Sequence, residues 1–144
     1  MLKLAIVSLA LLTMGCGLQD YTVEDEALRP HVEEFFNDCA RMGNTQERTA
    51  CTKLSGKWLT IKYVDRFPEP SQVGSAVRGT VSIRRNLTGW QLRKTVYHEL
   101  AHAMFGSGHV YSDANCKKIM YTGAPTCIKN EDDWDASRVH FWLR

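Results

Sequence analysis

Long apolar runs are almost missing from this chain of 144 residues. The one that exists, Leu4 to Leu12, falls well short of the roughly 20 residues that cross a bilayer as a helix, and nothing after it comes closer. An excess of charge of one sign is also missing. Eighteen basic residues stand against 16 acidic ones, a formal net charge of +2. That balance excludes the electrostatic footprint of a nucleic-acid binder. Arg78, Arg84, Arg85, Arg93 and Lys94 accordingly read as solvated faces. Proline is scarce, four residues in all, and Pro68 and Pro70 share one loop. No internal repeat or low-complexity tract is present, which excludes solenoids and biased tails. What remains is one modest domain, large enough for a core and too small for two.

The N-terminus has the grammar of an export signal. Lys3 is a short positive region, Leu4 to Leu12 the apolar one, and small residues follow. The segment ends in "TMGC", which resembles the lipobox of bacterial lipoproteins, where a Cys after a small residue is lipidated and becomes the new N-terminus. Gly15 and Cys16 fit that pattern, while Thr13 stands where Leu is usual. The expected organisation is a signal peptide over 1–15, a tether over 16–23 with Cys16 lipidated, and a domain over 24–144. The expected location is the bacterial cell envelope, lipid-anchored in the periplasm or at the surface. An ordinary cleaved signal and free secretion are the alternative.

With Cys16 set aside, Cys39, Cys51, Cys116 and Cys127 form an even set, which in an exported protein reads as two disulfides. Four cysteines allow three pairings. Cys39–Cys51 and Cys116–Cys127 are favoured, because each pair brackets a turn-like segment. The spacings are too long for the CxxC pairs of zinc ribbons.

Periodicity indicates an α+β domain. "EALRPHVEEFFNDCARMG" places Leu28, Val32, Phe35, Phe36, Cys39 and Met42 at helical spacing. Pro30 belongs in the first turn, and Gly43 and Asn44 stop the helix. "GKWLTIKYVD" alternates as a strand. "RFPEPSQVGS" is a loop, and "AVRGTVSIRRN" is a half-exposed strand bulged at Gly79. Thr88 and Gln91 form a T-x-x-Q capping box, with Leu87 and Leu92 as the staple, for a helix from Gly89 to Phe105 ending at Gly106. Residues 107–130 read as irregular, and "NEDDWDASRVHFWLR" as a last helix.

The chemistry is concentrated in "VYHELAHAMFGSGHV", Val96 to Val110. His98 and His102 lie one helical turn apart on one face and can share a tetrahedral zinc. Glu99 sits where a carboxylate reaches a zinc-bound water rather than the metal. Zinc lowers the pKa of such a water to about 7, and a neighbouring carboxylate can move its proton to a leaving amine. The bland reading is a pair of core histidines in an apolar helix. It requires separate partners for two buried imidazoles and a buried carboxylate. Beyond the Gly106-Ser107-Gly108 turn, His109 can swing back to the same face. His31 and His140 lie far from the motif and read as surface or satisfied helix histidines.

This layout, with Met120 downstream in "KIMYTG", resembles the metzincin clan of zinc metallopeptidases, whose signature is HExxHxxGxxH followed by a Met-turn. The resemblance covers roughly the last third of the chain by motif. It implies a small zincin-like fold with His98, His102 and His109 as ligands of Zn2+, Glu99 as general base and Met120 in the Met-turn. Tyr121 is similar to the residue after the methionine in matrixin-type members. Here the Gly and the third His each fall one residue later, HExxHxxxGxxH, a spacing similar to that of small bacterial metallopeptidase-like lipoproteins with HELGHC-type helices. Asp113 is therefore the alternative third ligand. A Cys116–Cys127 bridge would pin the Met-turn. The expected protein is a monomeric zinc metallopeptidase acting on a peptide or protein, with "GTVSIRR" as the edge strand that receives the substrate. A zinc hydrolase of non-peptide cell-wall amide bonds and a non-catalytic zinc-binding lipoprotein are the rivals.

Overall fold

The structure, a computed structural model, describes residues 21–52, 59–122 and 127–143. The signal segment, Cys16 and most of the expected tether lie outside them. The elements run β1 (Tyr21–Val23), a 3-10 turn (Glu26–Leu28), α1 (Arg29–Met42), α2 (Thr45–Thr52), β2 (Leu59–Val64), β3 (Gly74–Val77), β4 (Thr80–Arg84), α3 (Gly89–Phe105), a second 3-10 turn (Asp113–Asn115) and α4 (Glu131–Trp142). Among the described residues the fold is α+β, four helices with one four-stranded mixed sheet.

Each helix follows from local chemistry. Pro30 sits in the first turn of α1, where its missing N–H costs nothing. Val32, Phe35, Phe36 and Cys39 form the buried stripe. Asn44, expected only to end α1, caps α2. Its Oδ1 accepts from the Glu47 N–H at 2.9 Å, and Glu47 Oε2 accepts from the Asn44 N–H at 2.8 Å. This is a reciprocal capping box that the sequence reading missed. Thr88 is the N-cap of α3 as expected, but its side chain makes no capping bond. Gly106, at φ 62°, ends α3 in the left-handed conformation that glycine tolerates best. Asn130 caps α4 by accepting from the Asp133 N–H at 2.8 Å.

The sheet order is β1-β2-β4-β3, with β1–β2 and β2–β4 parallel and β3–β4 antiparallel. Two expectations are corrected. Tyr21–Val23, assigned to the tether, pairs with Leu59–Ile61 as a sheet edge. The stretch expected to be one bulged strand is a hairpin. Val77 pairs with Thr80, and the two residues between them, Arg78 (φ 50°) and Gly79 (φ 78°), are both in the left-handed region. That matches a tight turn whose twist suits the flanking strands. The hairpin puts β4, the "GTVSIRR" segment, inside the sheet. The edge on that side is β3.

The core lies between the sheet and the helices. Ile61, Val81 and Ile83 from the sheet are fully buried, as are Val96 and Leu100 from α3. The Phe35 ring packs 4.9 Å from Tyr97 and 5.5 Å from Trp142, so α1, α3 and α4 share one aromatic cluster. Buried polar groups fix its register. Asp38 accepts from the Tyr97 hydroxyl at 2.9 Å and from Arg138 at 2.7 Å. Glu34 accepts from Arg93 at 2.6 Å and from the Trp134 indole at 2.9 Å. Arg93 is thus no solvated charge; it bridges Glu34 and Glu131. Lys94, expected on the same solvated face, is buried. The Cys39–Cys51 bridge ties α1 to α2, and Cys116–Cys127 closes the loop before α4. Both pairings are the expected ones.

Candidate metal centre

Helix α3 carries His98 and His102 on one face, and its left-handed end sends the chain back over that face. The return is held by pairing with a later segment. The Val110 N–H donates to the Met120 carbonyl at 3.0 Å, and Val110 bridges Tyr121 in parallel. His109 is thereby set beside the other two histidines.

The three rings present the same nitrogen to one another. Nε2 of His102 lies 3.0 Å from Nε2 of His98 and 2.7 Å from Nε2 of His109. The His98 Nδ1 donates to the Ile119 carbonyl at 2.9 Å. Its proton therefore sits on Nδ1, and its Nε2 is a bare lone pair. One N–H on His102 cannot point squarely at two neighbours. A cation at the shared point satisfies all three nitrogens. Ligands held about 2.0–2.1 Å from a tetrahedral ion lie about 3.3 Å from one another, somewhat wider than the 3.0 and 2.7 Å separations here. Among the described residues, His98, His102 and His109 are the group that could hold a metal ion.

The remote sides of the rings are also braced. His98 is held by Ile119, and His102 hydrogen-bonds the Ser107 backbone. The Tyr111 hydroxyl stands 3.5 Å from Nδ1 of His109. Such outer contacts fix ring orientation and tautomer in metal sites. Burial pushes His98 down to about 4, so it is neutral with its lone pair free at neutral pH; the Ile119 hydrogen bond opposes this only in part. Burial lowers His102 as well.

Glu99 is buried and lines a cleft of about 260 Å³ together with His98, His109, Gly74, Lys94 and Thr122. No described side chain hydrogen-bonds its carboxyl, and burial alone pushes it up to about 7. A cation beside it would favour the ionised form. Edge strand β3 forms the opposite wall. A Cβ on Gly74 would stand 2.5 Å from Oε1 of Glu99.

Met120 and Tyr121 are buried, next to the residue whose carbonyl orients His98. The Cys116–Cys127 bridge brackets that segment. Asp113 lies in the 3-10 turn, its side chain outside what the structure describes. His31 is half-buried on α1, beside Glu34 and Arg93 in a groove away from the centre, and His140 is exposed on α4. No protein-family model, no curated protein and no solved structure matches this chain.

Two cleft residues escaped the sequence reading. Lys94 had a usable signal: it precedes His98 by the same four residues that separate His98 from His102, so all three share a helix face. Gly74 had none, because its role depends on which strand packs over Glu99.

Proposed function

We propose that the protein is an exported zinc-dependent peptidase. One observation carries this reading: three imidazole Nε2 atoms converge at a cleft whose wall holds a buried carboxyl to which no described side chain donates. Three neutral nitrogen ligands with an open fourth position are the donor set of catalytic zinc. A purely structural site closes its fourth position and needs no carboxylate beside it.

When bound, zinc would polarise a carbonyl and lower the pKa of a coordinated water. His98, His102 and His109 would hold it, with Ile119 and Ser107 keeping two of the rings in place. Glu99 takes a proton from the attacking water and returns it to the leaving nitrogen. Substrate alignment falls to β3. In the antiparallel pairing with β4, hydrogen-bonded and non-hydrogen-bonded pairs alternate. Val77 and Thr80 close the hairpin as a bonded pair, so Ala76 turns its N–H and C=O to the open edge. An extended peptide can add there as a further strand. Two disulfides suit an oxidising compartment outside the cytoplasm, and Cys16 would anchor the chain by lipid.

The test is a peptide-library cleavage screen with measured metal content, on wild type and Glu99→Gln. Wild type should cleave, and Glu99→Gln should keep its zinc and lose at least about a hundredfold in rate. Equal rates would remove Glu99 from the mechanism. A zinc-loaded wild type that cleaves no peptide would end the peptidase reading.

A further inference from the structure

Lys94 is the charged cleft residue that the hydrolytic reading leaves unused. It is 6% exposed. Its Nζ donates to the Tyr121 carbonyl at 3.0 Å and lies 5.0 Å over the Tyr121 ring. An ammonium has three N–H groups, and among the described residues no carboxylate pairs with Lys94. The other basic side chains held in the helical interior are treated differently. Arg93 meets Glu34 and Glu131, and Arg138 meets Glu34, Asp38 and Asp135. A buried cation without a counter-charge is costly. Burial pushes Lys94 down to about 8, with no described carboxylate to offset it.

The surroundings indicate what would complete it. Lys94 opens onto the same cleft as His98 and Glu99. It lies four residues before His98, about 6 Å along the helix axis. Ser71, Gln72, Gln91, Thr95 and Thr122, all neutral and polar, are among the other lining residues. The cleft therefore has a proton-accepting carboxyl beside the histidines and an uncompensated cation one turn away. That spacing is within reach of a side chain on a residue next to the bond being cut.

We propose that Lys94 forms a carboxylate-recognising subsite, so that the preferred substrate bears a carboxylate beside the scissile bond, from an Asp or Glu side chain or from a free chain end. The substrate in this statement rests on the peptidase reading, while the subsite rests on the cleft. The experiment uses matched peptides with Glu or Gln, and Asp or Asn, on either side of the cleaved bond, each with a free or an amidated C-terminus. The two series separate a side-chain carboxylate from a terminal one. Zinc-loaded wild type should favour the acidic or free-ended member by about ten- to a hundredfold in kcat/KM, the scale of one charge-assisted hydrogen bond. Lys94→Gln keeps a donor for the Tyr121 carbonyl, and Lys94→Met keeps the apolar stem. Either, once shown to be folded by circular dichroism, should bring the ratio close to one, and Lys94→Arg should retain it. A ratio unchanged in the folded variants, or a wild type that favours the amides, overturns the proposal. If no peptide is cleaved, calorimetry of the same peptides with zinc-loaded Glu99→Gln decides. Tighter binding of the acidic member that is lost with Lys94→Gln keeps the subsite and retires only the peptidase reading. Equal affinity, or binding of neither, overturns the subsite.

Discussion

Gly74 and Glu99 meet so closely that no side chain fits between them: a Cβ at position 74 would come within 2.5 Å of Oε1 and 2.7 Å of Cγ of the glutamate. The edge strand thus confines the carboxyl that the proposed chemistry depends on. Gly74→Ala should push Glu99 out of its seat. We expect at least about a tenfold fall in kcat/KM with metal content unchanged, and a stability loss of about 1–3 kcal/mol from overpacking. Steady-state kinetics and a thermal melt check it. Wild-type kinetics would mean that Glu99 moves freely and that β3 does not position it.

The three histidines should differ in what their loss costs. The purified chain is expected to carry about one zinc, the load of a single three-histidine site. His98→Ala and His102→Ala should each abolish tight binding, because both ligands stand on the rigid helix. His109, on an exposed return segment, should weaken binding less when replaced. Metal analysis after dialysis reads this out. Zinc kept in both helix variants would sink the site. Zinc lost with Asp113→Ala but kept with His109→Ala would make Asp113 the third ligand.

The two disulfides should separate into a scaffold bridge and a site bridge. Each closes a short loop, with sequence separations of 12 and 11, worth about 3 kcal/mol in the chain-entropy model. Replacing Cys39 and Cys51 together by Ser should lower the melting temperature and leave zinc affinity unchanged. Replacing Cys116 and Cys127 should do both, because Ile119 inside that loop orients His98. A competitive zinc titration distinguishes them. Equal affinity in both double variants would show that Ile119 holds its place without the bridge.

Cys16→Ser should release the protein from the membrane. The lipobox resemblance implies attachment through acyl chains at Cys16, each buried CH₂ contributing about 0.8 kcal/mol, and among the described residues no helix is long and apolar enough to cross a bilayer. Detergent-phase partitioning of both forms is the measurement. Identical partitioning would leave "TMGC" as the end of a cleaved signal.

The parts legible from sequence are those governed by neighbours along the chain. The bounds of α3 were readable because Thr88 and Gly106 punctuate it, and a left-handed helix end favours glycine whatever packs around it. The shared face of His98 and His102 follows from helical pitch alone. Of three possible cysteine pairings, the sequence favoured the one in which each pair brackets a turn-like segment, and the structure holds that one. Tertiary structure decided the rest. A half-apolar strand does not say whether it is central or at an edge, since the hairpin at Arg78 and Gly79 determines that β4 is covered and β3 open. Lys94 and Arg93 look alike as adjacent cations in a sequence. Their different fates depend on what lies across from each, carboxylates for Arg93 and a backbone carbonyl for Lys94. The convergence of His109 on its partners is likewise a product of the Val110–Tyr121 pairing, a contact between segments that no local pattern encodes.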